Sequence, residues 1–402
     1  MSALLLALLL AACQPTVLVV EVTPTPGGAV EPTGSAAPAQ VAPAASATPR
    51  VVEVTRVVPQ EVTRVVPEEV VVEVTKAALG SGERPLQLLF PARFPVDVIQ
   101  NRGQALADTL TAATGQAVAV GVLDSEQAVI DLMCAAPQDT IGFLSALGYV
   151  LAEAQCGVQL GMVALDAEGR SDDIGMLVTR RDGSLRELAA LADGSWATAD
   201  TQNIPNFLYF QALLLDMGVA PGEIVPAAGD NGAMLAVFNG EATFGTATYL
   251  PPILPFEEAW VYGEATPEPW RLLGIPPRRS PLGYILVNGE PESGGYRLRD
   301  ARAGVFDIAP EIFGETQIVA LSEPMPHAAV AFGAEFPLGL ARALMGVMGE
   351  LAAGGACAAS LCAGDFYAWS GLAAGEDALF DALRFTVETL NLTQEEIWAL
   401  AQ

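Results

Sequence analysis

Four short apolar runs separated by helix-period segments constrain this chain more than any other feature. They are residues 86–90 (LQLLF), 118–122 (VAVGV), 140–144 (TIGFL) and 161–165 (GMVAL). Runs this short, with little apolar–polar alternation, suit strands covered on both faces. Between them lie a helix-period segment at 98–114 ending at Gly115, a second helix capped by Ser125 and running to Met133, and a third entered through residues 145–149. Parallel strands need crossovers of that length, so the pattern predicts βαβ units in an α/β fold. The expected sheet is mostly parallel and flanked by helices.

A second series follows. Residues 174–179 read as a strand leaving the first unit, and 185–191 as a short helix. Residues 196–215 then pass from a β-prone run through the polar turn 200–206 into apolar positions at Phe207, Phe210, Leu214 and Leu215, three and four apart. A strand that feeds a helix through such a turn aims unpaired N–H groups at one point. The helix N-terminus adds partial positive charge, worth ~0.3–1 kcal/mol to an exposed anion. Ligands of open α/β sheets sit at the carboxyl ends of strands, so this turn reads as half of a ligand clamp. The series continues with strands at 223–228, 243–249 and 317–321 and a helix at 233–239, interrupted by Pro-, Gly- and Trp-rich residues 250–299, an irregular insertion. Residues 327–332 read as a return crossing, and 337–351 start a terminal helical region.

Charge and scarce bases narrow the function. With Lys+Arg 19 against Asp+Glu 47, the net charge of −28 repels nucleic acid and anionic lipid surfaces. His327 is the sole histidine and Lys76 the sole lysine, which disfavours a His-ligated metal, a Ser/His/Asp triad, a Schiff base or a P-loop. Neither an enzyme, a metal site nor a cofactor is expected.

The first 13 residues form an apolar run ending Leu10-Ala-Ala-Cys13, too short to span a membrane. They resemble a bacterial lipobox, which implies lipidation of Cys13 and a place in the cell envelope, on the outer face of the cytoplasmic membrane or in the periplasm. No Lys or Arg precedes the run, so the start codon is open to placement upstream. Residues 14–83 are a Pro/Val/Thr/Glu-rich tether with a repeated VVEVTRVVP-like unit. As a flexible coil it would span roughly 45–50 Å.

The order of these pieces resembles the periplasmic substrate-binding proteins of ABC transporters, and within them the phosphate/phosphonate-binding family. Residues 141–152, the Asp200 turn, residues 234–240 and residues 321–327 carry the likeness. It implies two lobes: 84–178, then 179–326 with its insertion, then a return at 327–402, hinged near Thr179 and His327. It further implies a monomer that closes on a small ligand and presents it to a permease. A ligand-sensing receptor using the same clamp is the alternative. Where the family's second-lobe turn usually reads Gly-Ser-Thr-Ser-Gly, this chain has Gln202-Asn-Ile-Pro-Asn206, and its next loop places Asp230 where a donor usually stands. A carboxylate there favours a ligand with a donor or cationic group over a phosphonate dianion.

The expected ligand-binding residues are Phe94, Ser145, Tyr149, Thr201, Gln202, Asn203, Asp230, Asn231 and Tyr249. Asp230 could equally cap its helix, and Trp260, Tyr262 and Trp270 of the insertion either roof the cleft or pack among themselves. Beyond Cys13 there are four cysteines, an even count that favours disulfides in an exported protein. Three connectivities are possible; the local one pairs Cys134 with Cys156 and Cys357 with Cys362.

Overall fold

The computed structural model describes residues 77–181 and 185–400. The expected leader, the expected lipidation site Cys13 and the expected tether up to Lys76 lie outside the described residues. The folded unit reaches back into the stretch that composition assigns to the tether. There Leu79 packs against the first core, and the Ala117 N–H donates to the Gly80 carbonyl.

The first lobe is β1 (Leu86–Pro91), α1 (Val96–Thr114), β2 (Val118–Leu123), α2 (Glu126–Ala135), β3 (Thr140–Ser145), α3 (Ala146–Cys156) and β4 (Gln159–Leu165). The second holds β5 (Gly175–Arg180), β6 (Trp196–Thr198), α4 (Tyr209–Asp216), β7 (Ile224–Pro226), α5 (Gly229–Asn239), β8 (Phe244–Thr248) and β9 (Thr316–Leu321). The chain returns through β10 (Ala328–Phe332), α6 (Leu338–Ala353), β11 (Gly371–Ala374), α7 (Asp381–Thr389) and α8 (Gln394–Leu400).

The sheet orders are β11-β4-β10-β3-β1-β2 and β9-β5-β8-β6-β7. Both sheets are mixed. β1, β2 and β3 pair in parallel, as do β6, β7 and β8, but β10 runs antiparallel to β3 and β4, and β5 antiparallel to β8 and β9. The reversed strand in each lobe is the one that has just arrived from the other lobe. β11 adds a further antiparallel edge to the first sheet. An expectation of mostly parallel pairing misses this, because a crossing strand carries the same apolar composition as a βαβ strand.

The crossings meet where Asp172–Asp173 pair antiparallel with Met325–Pro326. The paired crossing precedes Thr179, which is buried in β5 and paired with Phe244 in the second sheet. His327 does stand at the crossing.

Among the described residues the apolar side chains gather into three cores. One lies under the first sheet with α1 and α6, and another fills the second lobe and its insertion. The third spans both lobes: Tyr149 of α3 and Phe210 of α4 share it with Phe380, Leu383 and Ile397 of the C-terminal region. Tyr209 meets Phe385 edge-on at 5.9 Å, so α7 straps one lobe to the other. Both disulfides have the local connectivity, with Cα separations of 5.6 Å for Cys134–Cys156 and 5.0 Å for Cys357–Cys362.

The insertion is less irregular than its composition suggests. Arg278–Arg279, Ile285–Val287 and Tyr296–Leu298 form an antiparallel sheet of three strands. Arg302 anchors it: fully buried, it donates to Asp300 at 2.9 Å and Glu268 at 2.7 Å, and lies over the Phe313 ring. Trp270 packs edge-on against Phe313, and Trp260 against Tyr249. These tryptophans pack within the lobe; neither is among the residues that line the cavity between the lobes.

Candidate functional site

The turn after β6 is built from behind. Trp196 is fully buried, stacks on Phe207 at 4.3 Å and donates from Nε1 to Thr246 Oγ1 at 2.9 Å. Burial of such a side chain contributes roughly 1.5–3 kcal/mol, which fixes the strand and the π-helical turn Ile204–Leu208 against each other. Gly175 of β5 lets the chain close up further. A methyl group there would overlap the Pro205 carbonyl, so only glycine admits this approach.

The turn then satisfies much of itself. The Gln202 N–H donates to Asp200 Oδ1 at 2.8 Å, and the Asn206 N–H to Asn203 Oδ1 at 2.9 Å, making Asn203 the cap of the helical segment. Pro205 has no N–H to offer. Asn206 is 4% exposed; its Nδ2 donates to Thr248 Oγ1, while its Oδ1 has no partner.

Across the cleft, Ser145 ends β3 and caps α3, its Oγ accepting from the Gly148 N–H at 3.0 Å. The Ser145 N–H and hydroxyl both donate to the Glu126 carboxylate, at 2.5 and 2.9 Å, and Arg93 forms an ion pair with the same carboxylate. Glu126 is 6% exposed. Gly148 makes room for it, since a Cβ there would overlap Glu126 Oε1.

Between these walls lies a cavity of about 500 Å³. Ser145, Ala146 and Leu147 line it from the first lobe, and Asp200 with Gln202–Pro205 from the second. Asp173, Met325 and His327 form its floor at the crossings, while Arg93 and the C-terminal Leu383, Ala399 and Leu400 complete it. A larger hollow of about 1020 Å³ adjoins it, lined by residues 91–93, 124–127, Gln394, Glu395, Trp398 and Ala399. No residue from the second lobe lines that hollow, so the smaller cavity is the interlobe site.

Of the residues expected at the ligand, Ser145, Gln202 and Asn203 come together here. Six do not line the cavity. Phe94 packs edge-on against Phe366 and Tyr367 at 5.2 and 5.3 Å. Tyr149 is 1% exposed and donates its hydroxyl to Asp377 at 2.6 Å; burial and that carboxylate together raise its pKa. Tyr249 is equally buried, donating to the Pro267 carbonyl at 2.8 Å. The Asp230 carboxylate accepts the Thr248 N–H at 2.8 Å, holding the end of β8. Thr201 and Asn231 are exposed outside the cavity. The physical reason is common to the tyrosines and Asp230: each polar end has an internal partner that offsets the cost of leaving water.

Arg93, Glu126 and Asp173 are the charged groups that sequence reasoning missed, while Asp200 lies in the turn already read as half of the clamp. The signal for Arg93 was its place in the turn after the first strand. His327 Nε2 lies 3.3 Å from Asp173 Oδ2. The hydrogen bond to Asp173 raises the His327 pKa above its ordinary value, against the opposing effect of burial. Among the described residues no group of three or more His, Cys, Asp and Glu side chains is placed to hold a metal ion. No described helix is long and apolar enough to cross a membrane.

Comparison with known proteins places this architecture. No curated protein matches the chain. Among solved structures, a binding-protein component of an ABC phosphonate transporter from Pseudomonas aeruginosa is 13% identical, with 78% of this chain and 92% of that one covered and a TM-score of 0.34. PhnD1 from Prochlorococcus marinus, solved with methylphosphonate, is 10% identical over 76% of this chain and 98% of its own, with a TM-score of 0.34. A Xanthomonas citri protein bound to chloride is 12% identical over 76% and 97%, with a TM-score of 0.40. The family model described as ABC transporter, phosphonate, periplasmic substrate-binding protein matches residues 88–360. That match spans well over half of the 402 residues, so the chain belongs to the phosphonate-binding family of periplasmic substrate-binding proteins of ABC transporters.

Proposed function

We propose that this chain is a lipid-anchored solute-capture protein that works as a monomer and hands a small ligand to an ABC permease. The observation that carries the reading is the interlobe cavity, in which Ser145–Leu147 of one lobe face Asp200–Pro205 of the other across the paired crossings. Each lobe alone offers half a surface, so a ligand that touches both favours the closed form and shifts the population toward it. Ser145, Gln202 and Asn203 are the residues we assign to the ligand. Cys13 is the assigned lipidation site, with the stretch from residue 14 to Lys76 as the tether that lets the capture unit reach the permease.

Two experiments test this. In a bacterial host the wild type should partition with the membrane fraction and Cys13→Ser should not; a soluble wild type with an unmodified Cys13 defeats the anchor. A ligand identified by native mass spectrometry should raise the melting temperature, with ~2.7 kcal/mol of stabilisation at a hundredfold excess over its Kd. Unchanged affinity in both Gln202→Ala and Asn203→Ala would remove the site. Capture of a histidine kinase in place of a permease by cross-linking would move the protein to a sensing role.

A further inference from the structure

Resting on the solute-capture reading, the C-terminal helices bear on how a solute enters the cleft. α7 and the residues before it join the two lobes. From the first lobe, the Tyr149 hydroxyl donates to Asp377 at 2.6 Å and the Tyr149 ring meets Phe380 at 4.4 Å. From the second, Tyr209 meets Phe385. Phe380 and Leu383 are buried in the core that both lobes share. Parting the lobes past α7 would return that apolar surface to water, which opposes entry by that route.

α8 is held differently. Ile397 is its one buried side chain, while Trp398 and Leu400 rest half-buried against the same core. Gln394 Nε2 donates to Gln127 Oε1 at 2.5 Å, which ties the first turn of α8 to α2. The Thr393 N–H and hydroxyl both donate to Glu396, so the helix start is satisfied from within. Behind it, Asn391 takes the left-handed conformation at φ 51° and turns the chain out of α7. A short helix with its own cap, one buried anchor and a turn behind it opens at far lower cost than the core. Its far end nevertheless reaches the ligand site. Ala399 and Leu400 line the interlobe cavity, and Trp398 lines the larger hollow beside it. Arg93 and Ala399 line both spaces, so α8 and the turn after β1 form the partition between them.

We infer that α8 is the gate of the cleft: it lifts to let solute pass from the larger hollow into the interlobe cavity, then reseats Ile397 to cover it. α7 holds the lobes together throughout. Ala399 and Leu400 form the last wall that closes on the bound solute.

A thiol placed inside the cavity tests this without a ligand. Ala146 lines the cavity and is 8% exposed, and Cys134, Cys156, Cys357 and Cys362 are bridged. Ala146→Cys therefore adds a single free thiol to the described residues. Labelling of the full chain by N-ethylmaleimide, read at residue 146 by peptide mass spectrometry, follows the population in which the cavity is open. In that background Ile397→Ala should speed labelling about tenfold or more, and Gln394→Ala about threefold. Phe385→Ala, which loosens the strap at Tyr209, should leave the rate within about twofold, and so should each variant leave amide exchange in β3. Ile397→Ala and Gln394→Ala both labelled at the parent rate overturn the gate. Phe385→Ala labelled faster than either also overturns it, because entry is then by parting of the lobes. Exchange in β3 that rises as much as labelling overturns it too, since the first lobe has then loosened as a whole. If Ile397→Ala does not fold, Gln394→Ala and Phe385→Ala decide the matter between them. Ligand affinities of Gln202→Ala and Asn203→Ala test the capture reading separately, so the gate and the capture role can fail independently.

Discussion

Replacing Cys134 and Cys156 together by alanine should destabilise the protein more than replacing Cys357 and Cys362, despite leaving the cleft intact. The first bridge ties the C-terminal ends of α2 and α3, whose N-terminal ends present Glu126 and Ser145 to each other. Its sequence separation is 22 residues, against 5 for the second. Loop-closure entropy then gives about 3.4 kcal/mol for the longer loop and about 2 kcal/mol for the shorter. At about 2.1 cal/mol/K per residue, roughly 320 residues unfold with about 0.7 kcal/mol/K. The melting temperature should therefore fall about 5 °C for the first double variant and about 3 °C for the second. Scanning calorimetry at fixed pH without reductant reads both. The cost lies in the unfolded chain, so ligand affinity of the folded variant should stay within about twofold. A larger loss from the Cys357/Cys362 variant, or a fall below about 1 °C from the Cys134/Cys156 variant, refutes the reasoning.

Three further outcomes are expected. His327 has a raised pKa in the fold, so its pairing with Asp173 stabilises below the unfolded value of about 6.5 and is lost as pH rises through the folded value. With side-chain exposures of 21% and 40%, and with Asp166 and Arg170 also acting on it, the effect should stay under about 1 kcal/mol. His327→Gln should flatten the pH dependence of the melting temperature across that window; an unchanged slope discounts the pair. Gly175→Ala should cost about 1–3 kcal/mol in denaturant unfolding, because its methyl group meets backbone at Pro205 that cannot swing aside. Arg302→Met should cost about 3–5 kcal/mol by stranding the buried Asp300 carboxylate, Glu268 keeping its pair with Arg271, and a variant as stable as the wild type would show that Asp300 finds another partner.

Much of the fold was legible because its signals are local. The runs at 86–90, 118–122, 140–144 and 161–165 all became strands of the first sheet, and Ser125 caps α2 by accepting from the Ala128 N–H. Strand direction was not legible: β5 and β10 look like any buried strand, and only the route between lobes reverses them. The crossing itself was not legible for the same reason, since residues 174–179 read as one apolar run while the paired crossing falls on the polar pair Asp172–Asp173 just before it. Beyond residue 360 the strap of α7 and α8 carries helix periodicity with no mark of which lobe it will cover.

The cleft was legible as a place and not as a chemistry. A polar turn before an apolar helix stripe locates Gln202 and Asn203, and a serine after a buried strand locates Ser145, because strand ends and helix starts are written in neighbouring residues. Whether the donors of those turns are free is decided elsewhere in the chain. Ser145 meets a carboxylate 19 residues earlier in sequence, and Arg93 meets the same carboxylate from 33 residues away. Asp230 shows the converse. Read from its loop it is either a charge aimed at the ligand or a helix cap; folded, it is an acceptor for the Thr248 N–H, and the carboxylates that line the cavity are Asp173 and Asp200. A local pattern can announce a site, but its sign follows from which internal groups have already claimed the hydrogen bonds. In this molecule that claim is made by Glu126, at 6% exposure too deeply buried to be read as surface charge.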